Sequence, residues 1–415
     1  MWEPLRRVTE VSRPRIVGPI TASHGINEFF AIVIPPIIPL LVSDLGVTYG
    51  QAGLLLTVFF VMYSLFQLPA GLVADRIGKN RLMIAGLAGM ASGIALAAFA
   101  PNYEFLLVAQ AIAGISGSTF HPTGLSIISD VETGDTEGKA MGVFGFGGTI
   151  GTMAAPLVVG GLAALAGWRI ALLGAALLGG GTTLLVAYFL VKSAEPTPSI
   201  RTDGGRTGSE WARAARESAT ALATRDIALL CLITLVMSLQ HRAIQTFTTS
   251  YVAAETGATV SVSNLAFFTL LVGGGVASLW GGELADRMNR YHLGIGAALG
   301  TAVLVGSSVF VTDLTAGLPT VALIGVLVVG FTVIGAGMYL NYPVKNALIS
   351  ERAKESHSGS LFGVVQTGSS VGSASGPAIF GVLADRWGVV AAFPAIAAVG
   401  VLLAGLFGVL LLFDR

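Results

Sequence analysis

A small set of side chains in this sequence has the chemistry to exchange protons where water is scarce. His24 and Glu28 stand at i and i+4 within an apolar stretch, one turn apart on the same face of a helix, with Asn27 beside them. Glu28 falls about twelve residues into that stretch, about 18 Å along a helix, deeper than any other carboxylate. His121, next to Pro122, has a comparable depth in another apolar stretch. A carboxylate and imidazoles removed from water compete for one proton, so Glu28, His24 and His121 can load and release it. The plain alternatives are a hydrogen-bonded structural carboxylate and packed histidines. Two histidines and a carboxylate also suit a metal, but no ligand-spacing motif supports one, and none is expected.

The second half of the chain supplies cations. His241 and Arg242, with Gln245 one turn on, occupy the middle of an apolar stretch, Asn341, Tyr342 and Lys345 lie along another, and Gln366 stands on the next. Arg242 is too deep to reach water easily, and its planar fork suits a carboxylate or phosphonate. Lys345 has the reach to snorkel to an interface. A cavity with a carboxylate and imidazoles on one side and cations on the other would take an anionic or zwitterionic small solute, bound by Asn27, His241, Arg242, Gln245, Tyr342, Lys345 and Gln366.

The elements that position these residues follow from composition. Of 415 residues, 53% are hydrophobic and 11% charged, with a mean hydropathy of +0.79. A soluble domain carries about 25% charged residues, so lipid must be the solvent for most of this surface. Apolar runs of helical length recur at about 16 to 42, 50 to 73, 82 to 100, 104 to 129, 138 to 164 and 168 to 191, then 226 to 252, 262 to 284, 292 to 311, 318 to 349, 360 to 384 and 389 to 413. The fold class is therefore an all-α integral membrane protein with about twelve transmembrane helices. Lys and Arg crowd the loops on the side of the termini, whereas Arg169 and Arg386 stand alone opposite. The positive-inside rule then makes both termini cytoplasmic in the cell membrane. Zero net charge offers no field to recruit nucleic acid, and the single cysteine, Cys231, excludes a disulfide.

The chain is doubled. Gly114, Pro122, Asp130, Gly142, Gly147, Gly151, Pro156 and Gly160 are answered, 221 residues on, by Gly335, Pro343, Glu351, Gly363, Gly368, Gly372, Pro377 and Gly381. In membranes such repeats build transporters. A polar, Pro- and Gly-containing break separates the copies, giving an N-terminal six-helix bundle over 1–191, a cytoplasmic linker over 192–225, within which Glu210 to Ala223 has helical spacing, and a C-terminal six-helix bundle over 226–415. Small residues every fourth position around Gly147 and Gly368 clear a helix face for close packing.

The run Gly71-Leu-Val-Ala-Asp75-Arg76-Ile-Gly78-Lys79-Asn-Arg81 resembles the signature loop of the major facilitator superfamily, and Asp286-Arg287 repeats its core with Asn289 where the glycine would be. Gly114 to Gly124, with His24 to Glu28 and the prolines of the first span, is similar to the fosmidomycin-resistance branch of that superfamily. The resemblance implies two pseudo-symmetric bundles rocking about a central site, as a functional monomer. It implies a proton-coupled exporter of a small organic anion or drug, with an uptake symporter for a carboxylate or phosphate ester as the rival and a membrane-embedded enzyme as a remote third. Asp75 ends its span at the negative pole of that helix, where a carboxylate is unfavourable unless another helix N-terminus faces it. Spans starting near Ser358 and Thr136 offer such ends, so Asp75, Arg76, Arg81, Asp286 and Arg287 are expected to form a cytoplasmic gate. No ATP-binding loop occurs, and no cofactor or catalytic residue is expected.

Overall fold

The computed structural model describes residues 11–192, 224–310, 313, 317–352 and 358–413. The linker expected over 192–225, with its Glu210 to Ala223 segment, lies almost wholly outside them. The described elements are helices, with no strand among them. The N-terminal bundle comprises α1 (Pro14–Ala31), α2 (Ile38–Leu45), α3 (Tyr49–Ile77), α4 (Lys79–Ala98), α5 (Tyr103–Gly117), α6 (Phe120–Val131) and α7 (Glu137–Lys192). The C-terminal bundle comprises α8 (Arg225–Thr256), α9 (Val260–Arg287), α10 (Arg290–Ser307), α11 (Thr320–Arg352), α12 (Ser358–Trp387) and α13 (Val389–Phe413).

Among the described residues, eight helices are long and apolar enough to cross a membrane, and the α1–α2 pair, bent by 40°, makes a ninth. The remaining crossings follow from where the chain breaks. The first span, read as 16 to 42, is split because Pro35, Pro36 and Pro39 cannot donate backbone hydrogen bonds. The fourth is shared by α5 and α6, which part just ahead of Pro122. Helix α7, 56 residues long, turns at Gly167, whose φ of 83° and ψ of 164° suit only glycine. The 30-residue α12 is diluted by serine and glycine. Six crossings result in each half.

Repeated glycines set the packing in both halves. A Cβ at Gly151 would lie 1.8 Å from the Gly25 carbonyl oxygen, and one at Gly372, 2.1 Å from that of Leu235. The fifth and eleventh crossings thus touch the first and seventh at backbone distance. Likewise Gly114 abuts the Phe59 carbonyl and Gly335 that of Leu270. The small-residue stripes are packing surfaces, as close approach in lipid requires.

The face where α1 begins and α3 ends carries most of the basic residues. On the opposite face the bundles meet. There Thr57 Oγ1 donates to the Ala374 carbonyl at 2.6 Å, and Asn264 Nδ2 to that of Pro36 at 3.0 Å.

On the basic face α1 lacks a side-chain cap of its own, and Glu132, just beyond α6, replaces it. Its carboxylate accepts from the backbone N–H of Ser12 at 3.0 Å and of Arg13 at 2.7 Å. Burial acts to raise its pKa, but hydrogen bonds from Thr136, Arg13 and Ser12 outweigh it and hold the group below its ordinary value of 4.5. Glu132→Ala is expected to cost about 1 kcal/mol, read as a lower thermal midpoint in detergent near pH 7. Because the folded pKa is depressed, this stability is present above the unfolded value and is lost as pH falls through the folded one. The variant's deficit should therefore shrink in acid, and an unchanged midpoint at pH 7 would remove the capping role.

Candidate functional site

Helix α1 carries His24, Asn27 and Glu28 towards α3, α6 and α7. His24 is buried because Gly148 of α7 leaves space for its ring: a Cβ there would lie 2.5 Å from the imidazole. The ring stacks on Phe144 at 3.9 Å and on Phe120 at 5.5 Å between centroids. Its Nδ1 lies 2.8 Å from the Phe144 carbonyl oxygen. A carbonyl only accepts, so Nδ1 bears the proton and Nε2 is left facing Glu28.

Glu28 Oε1 stands 3.7 Å from His24 Nε2 and 3.6 Å from His121 Nε2, and it accepts from Asn27 Nδ2 at 3.2 Å. Asn27 Nδ2 also donates to Tyr63 Oη at 3.1 Å. Neutral His24 presents a lone pair to the carboxylate, so an attractive contact needs a proton on one partner. The geometry thus sets one carboxylate oxygen against two imidazole nitrogens. The three ligand atoms lie within 4.8 Å of one another, a spacing that would also admit a small cation. The sequence reading had grouped these three residues by depth, and the structure brings His121 to Glu28 from a different helix.

Helices α8 and α11 form the facing side. Arg242 Nη1 donates to Gln245 Oε1 at 3.0 Å, and Gln245 Nε2 to Tyr339 Oη at 2.6 Å. The Arg242 guanidinium lies 4.3 Å over the Phe60 ring of α3, so the deep cation reaches across to the other half. His241 is buried between Tyr339 and Tyr342, with ring centroids 5.2 and 4.9 Å away, and its Nδ1 lies 3.1 Å from the Met237 carbonyl oxygen. Tyr63 of α3 meets Asn27 and, at 6.1 Å between ring centroids, His121, while Arg242 lies over Phe60 three residues before it, so both charge sets approach the same stretch of α3.

Lys345 does not snorkel. It is 7% exposed, with Nζ 5.3 Å from the Tyr342 ring, and among the described residues no carboxylate pairs with it. Asn341 Oδ1, one turn away, is buried and unpartnered. Gln366 is exposed on α12 and makes no side-chain bond to the others. Tyr339, Tyr63 and Phe60 were missed by sequence reasoning, although Tyr339 stands at helical spacing from Tyr342. A cleft of about 520 Å³ lined by Gln67, His121, Pro122, Leu125, Ser126 and Ser129 leads from His121 along α6 towards the basic face.

Of the expected gate, Asp75, Arg76, Arg81, Asp286 and Arg287 are exposed on that face. Arg287 pairs with Glu283 at 2.5 Å, and Asp286 lies 3.6 Å from Arg290. Lys79 binds Asp130 at 2.6 Å, and Arg290 binds Glu351. These pairs stay within one half. Asp130 and Glu351 are matching positions of the repeat, so the pairing was legible there as a signal that the sequence reading left unused.

Both stretches 20–237 and 230–415 match the family model described as Major Facilitator Superfamily. The chain is 25% identical over 294 residues to the fosmidomycin resistance protein of Escherichia coli, covering 69% of each chain. It is 26% identical over 392 residues to a probable sulfoacetate transporter of Cupriavidus necator, covering 91% of this chain and 88% of that one. Against a multidrug resistance protein of Escherichia coli, identity is 25% over 377 residues, with 88% and 86% covered. A solved bacterial homologue of the human lysosomal transporter Spinster, in an inward-facing and occupied conformation, superposes with a TM-score of 0.80 at 15% identity, covering 97% of this chain and 98% of that one. The chain is a multi-pass membrane protein that belongs to the major facilitator superfamily.

Proposed function

We propose that this protein is a proton-coupled secondary transporter that exports a small organic anion or drug by alternating access. The observation that carries the reading is the Glu28 carboxylate held 3.6 to 3.7 Å from the Nε2 atoms of His24 and His121, facing a half that contributes Arg242 and Lys345. Ionised groups at membrane depth cost several kcal/mol unless paired or facing a cavity. Exchange requires the proton and the solute to exclude one another: Arg242 and Lys345 hold the anionic end of the solute while ionised Glu28 accepts from a donor group at its other end, so a proton on Glu28 removes that acceptor and releases the solute. Both ligands thereby bias the same equilibrium between inward-open and outward-open states, as coupling requires.

In this reading His24 and His121 relay the proton, while Asn27, His241, Arg242, Gln245, Tyr342, Lys345 and Gln366 hold the solute. The basic face is cytoplasmic in the cell membrane by the positive-inside rule, both termini lie on it, and the monomer is the working unit. The domain division at 192–225 separates the two rocking bundles. The fosmidomycin and multidrug resistance proteins among the relatives favour export. The probable sulfoacetate transporter supports a second reading, uptake by proton symport, because the same groups serve either direction.

Fosmidomycin added to proteoliposomes with a pH-sensitive dye inside separates the two. Proton movement opposite to the drug supports exchange, and movement with it supports symport. Glu28→Gln should abolish transport driven by a proton gradient while leaving binding measurable; full gradient-driven transport would remove Glu28 as carrier. Arg242→Ala should weaken an anionic probe by about 10- to 100-fold and a neutral analogue far less, by equilibrium binding to the purified protein. Equal losses for the two probes would assign Arg242 a structural role. Lys345→Gln should likewise lower anion affinity, and an unchanged affinity would take Lys345 out of the solute site.

A further inference from the structure

The signature loop has a third copy, on the face where the bundles meet. Gly381-Val-Leu-Ala-Asp385-Arg386-Trp-Gly388 matches Gly71-Leu-Val-Ala-Asp75-Arg76-Ile-Gly78 at each Gly, Ala, Asp and Arg. The two segments end their helices alike. Gly78 N donates to the Ala74 carbonyl at 2.9 Å and Gly388 N to that of Ala384 at 2.8 Å, and the glycines have φ of 94° and 87°. Each therefore sets an aspartate near the negative pole of its own helix, a position that calls for a partner.

Asp385 has that partner. Its Oδ2 accepts from Thr48 Oγ1 at 2.7 Å and from Gly50 N at 3.0 Å, so the carboxylate of α12 sits on the N-terminus of α3. The approach is close because glycines line it: a Cβ at Gly50 would lie 2.5 Å from Asp385 Oδ2, one at Gly53, 2.1 Å from the Pro377 carbonyl, and one at Gly381, 2.6 Å from that of Tyr49. Thr48 also caps α3 by accepting from Gln51 N at 3.1 Å, so the latch and the start of the helix share one hydroxyl. Asp75, at the other end of α3, is exposed and without a partner among the described residues.

We propose that Asp385, held by Thr48 and the N-terminus of α3, is the latch that keeps the face opposite the basic loops closed. Helices α3 and α12 run antiparallel, each with an aspartate near its C-terminal end, so the start of each lies on the same face of the bundle as the other's aspartate. In this structure the Asp385 end is engaged and the Asp75 end is free. Rocking the bundles exchanges them: opening the opposite face costs the Asp385 contacts, and closing the basic face presents Asp75 to the start of α12. The latch rests on the alternating-access reading and shares no residue with the solute site or the proton carrier.

The test measures distances between spin labels at Leu54 of α3 and Val382 of α12, both exposed, in nanodiscs, with the full chain carrying Cys231→Ser. The parent should give one short distance. Asp385→Ala should raise the population of a longer distance by about fivefold or more, Thr48→Ala should shift it the same way, and Asp75→Ala should leave it short. Asp385→Asn, which retains an acceptor oxygen but not the charge, serves if the alanine variant does not fold. An unchanged distance distribution in both the Asp385 variant and Thr48→Ala would overturn the proposal.

Discussion

Helices surrounded by lipid gain little by hiding apolar side chains from it, so this fold depends on how closely its backbones can approach. Gly25 against Gly151, and Leu235 against Gly372, put carbonyl groups where a side chain would otherwise stand. Those contacts bind the first crossing to the fifth and the seventh to the eleventh. The same rule governs Gly114 on Phe59 and Gly335 on Leu270. The repeat thus marks positions where one geometric demand is met twice, once in each bundle.

The polar interior is built on that close packing. His24 fits because Gly148 has no side chain, and its tautomer is set by the Phe144 carbonyl. With the ring clamped between Phe144 and Phe120, Nε2 has one direction left, towards Glu28. On the facing side the constraint is looser. Arg242 rests on Phe60 and is steered by Gln245, whereas among the described residues Lys345 meets the Tyr342 ring and pairs with no carboxylate. The half holding the carboxylate is pre-organised, and among the described residues the half holding the cations keeps the Asn341 side-chain oxygen without a hydrogen-bond partner.

The surfaces that the proposed rocking would rearrange are those where the two bundles touch. Contacts between them gather towards the face bearing Asp385, Thr57 and Asn264, while ion pairs on the basic face join residues of the same half. Helix α3, 29 residues long with Pro69 inside it and so about 43 Å along its path, connects the two faces. A rotation that separates its start from α12 brings its end towards the start of that same helix.

Much of the architecture was decided by the sequence alone, because lipid imposes length, polarity and charge placement on any crossing helix. The helical class and the duplication were legible from apolar run length and from the register of glycine and proline, whereas the splits ahead of Pro35 and Pro122 divided spans that had been read as continuous. The pairing of His24 with Glu28 was legible too, since an i, i+4 spacing is local. Tertiary structure alone decided that His121 joins them, that Arg242 crosses to Phe60, that Lys345 stays buried, and that Tyr339 and Tyr63 line the interior. It also decided that Asp385 is engaged while Asp75 is free. Local spacing sets which face of a helix a residue occupies, but the neighbour that face meets depends on how whole bundles pack and on which end of the transporter is closed.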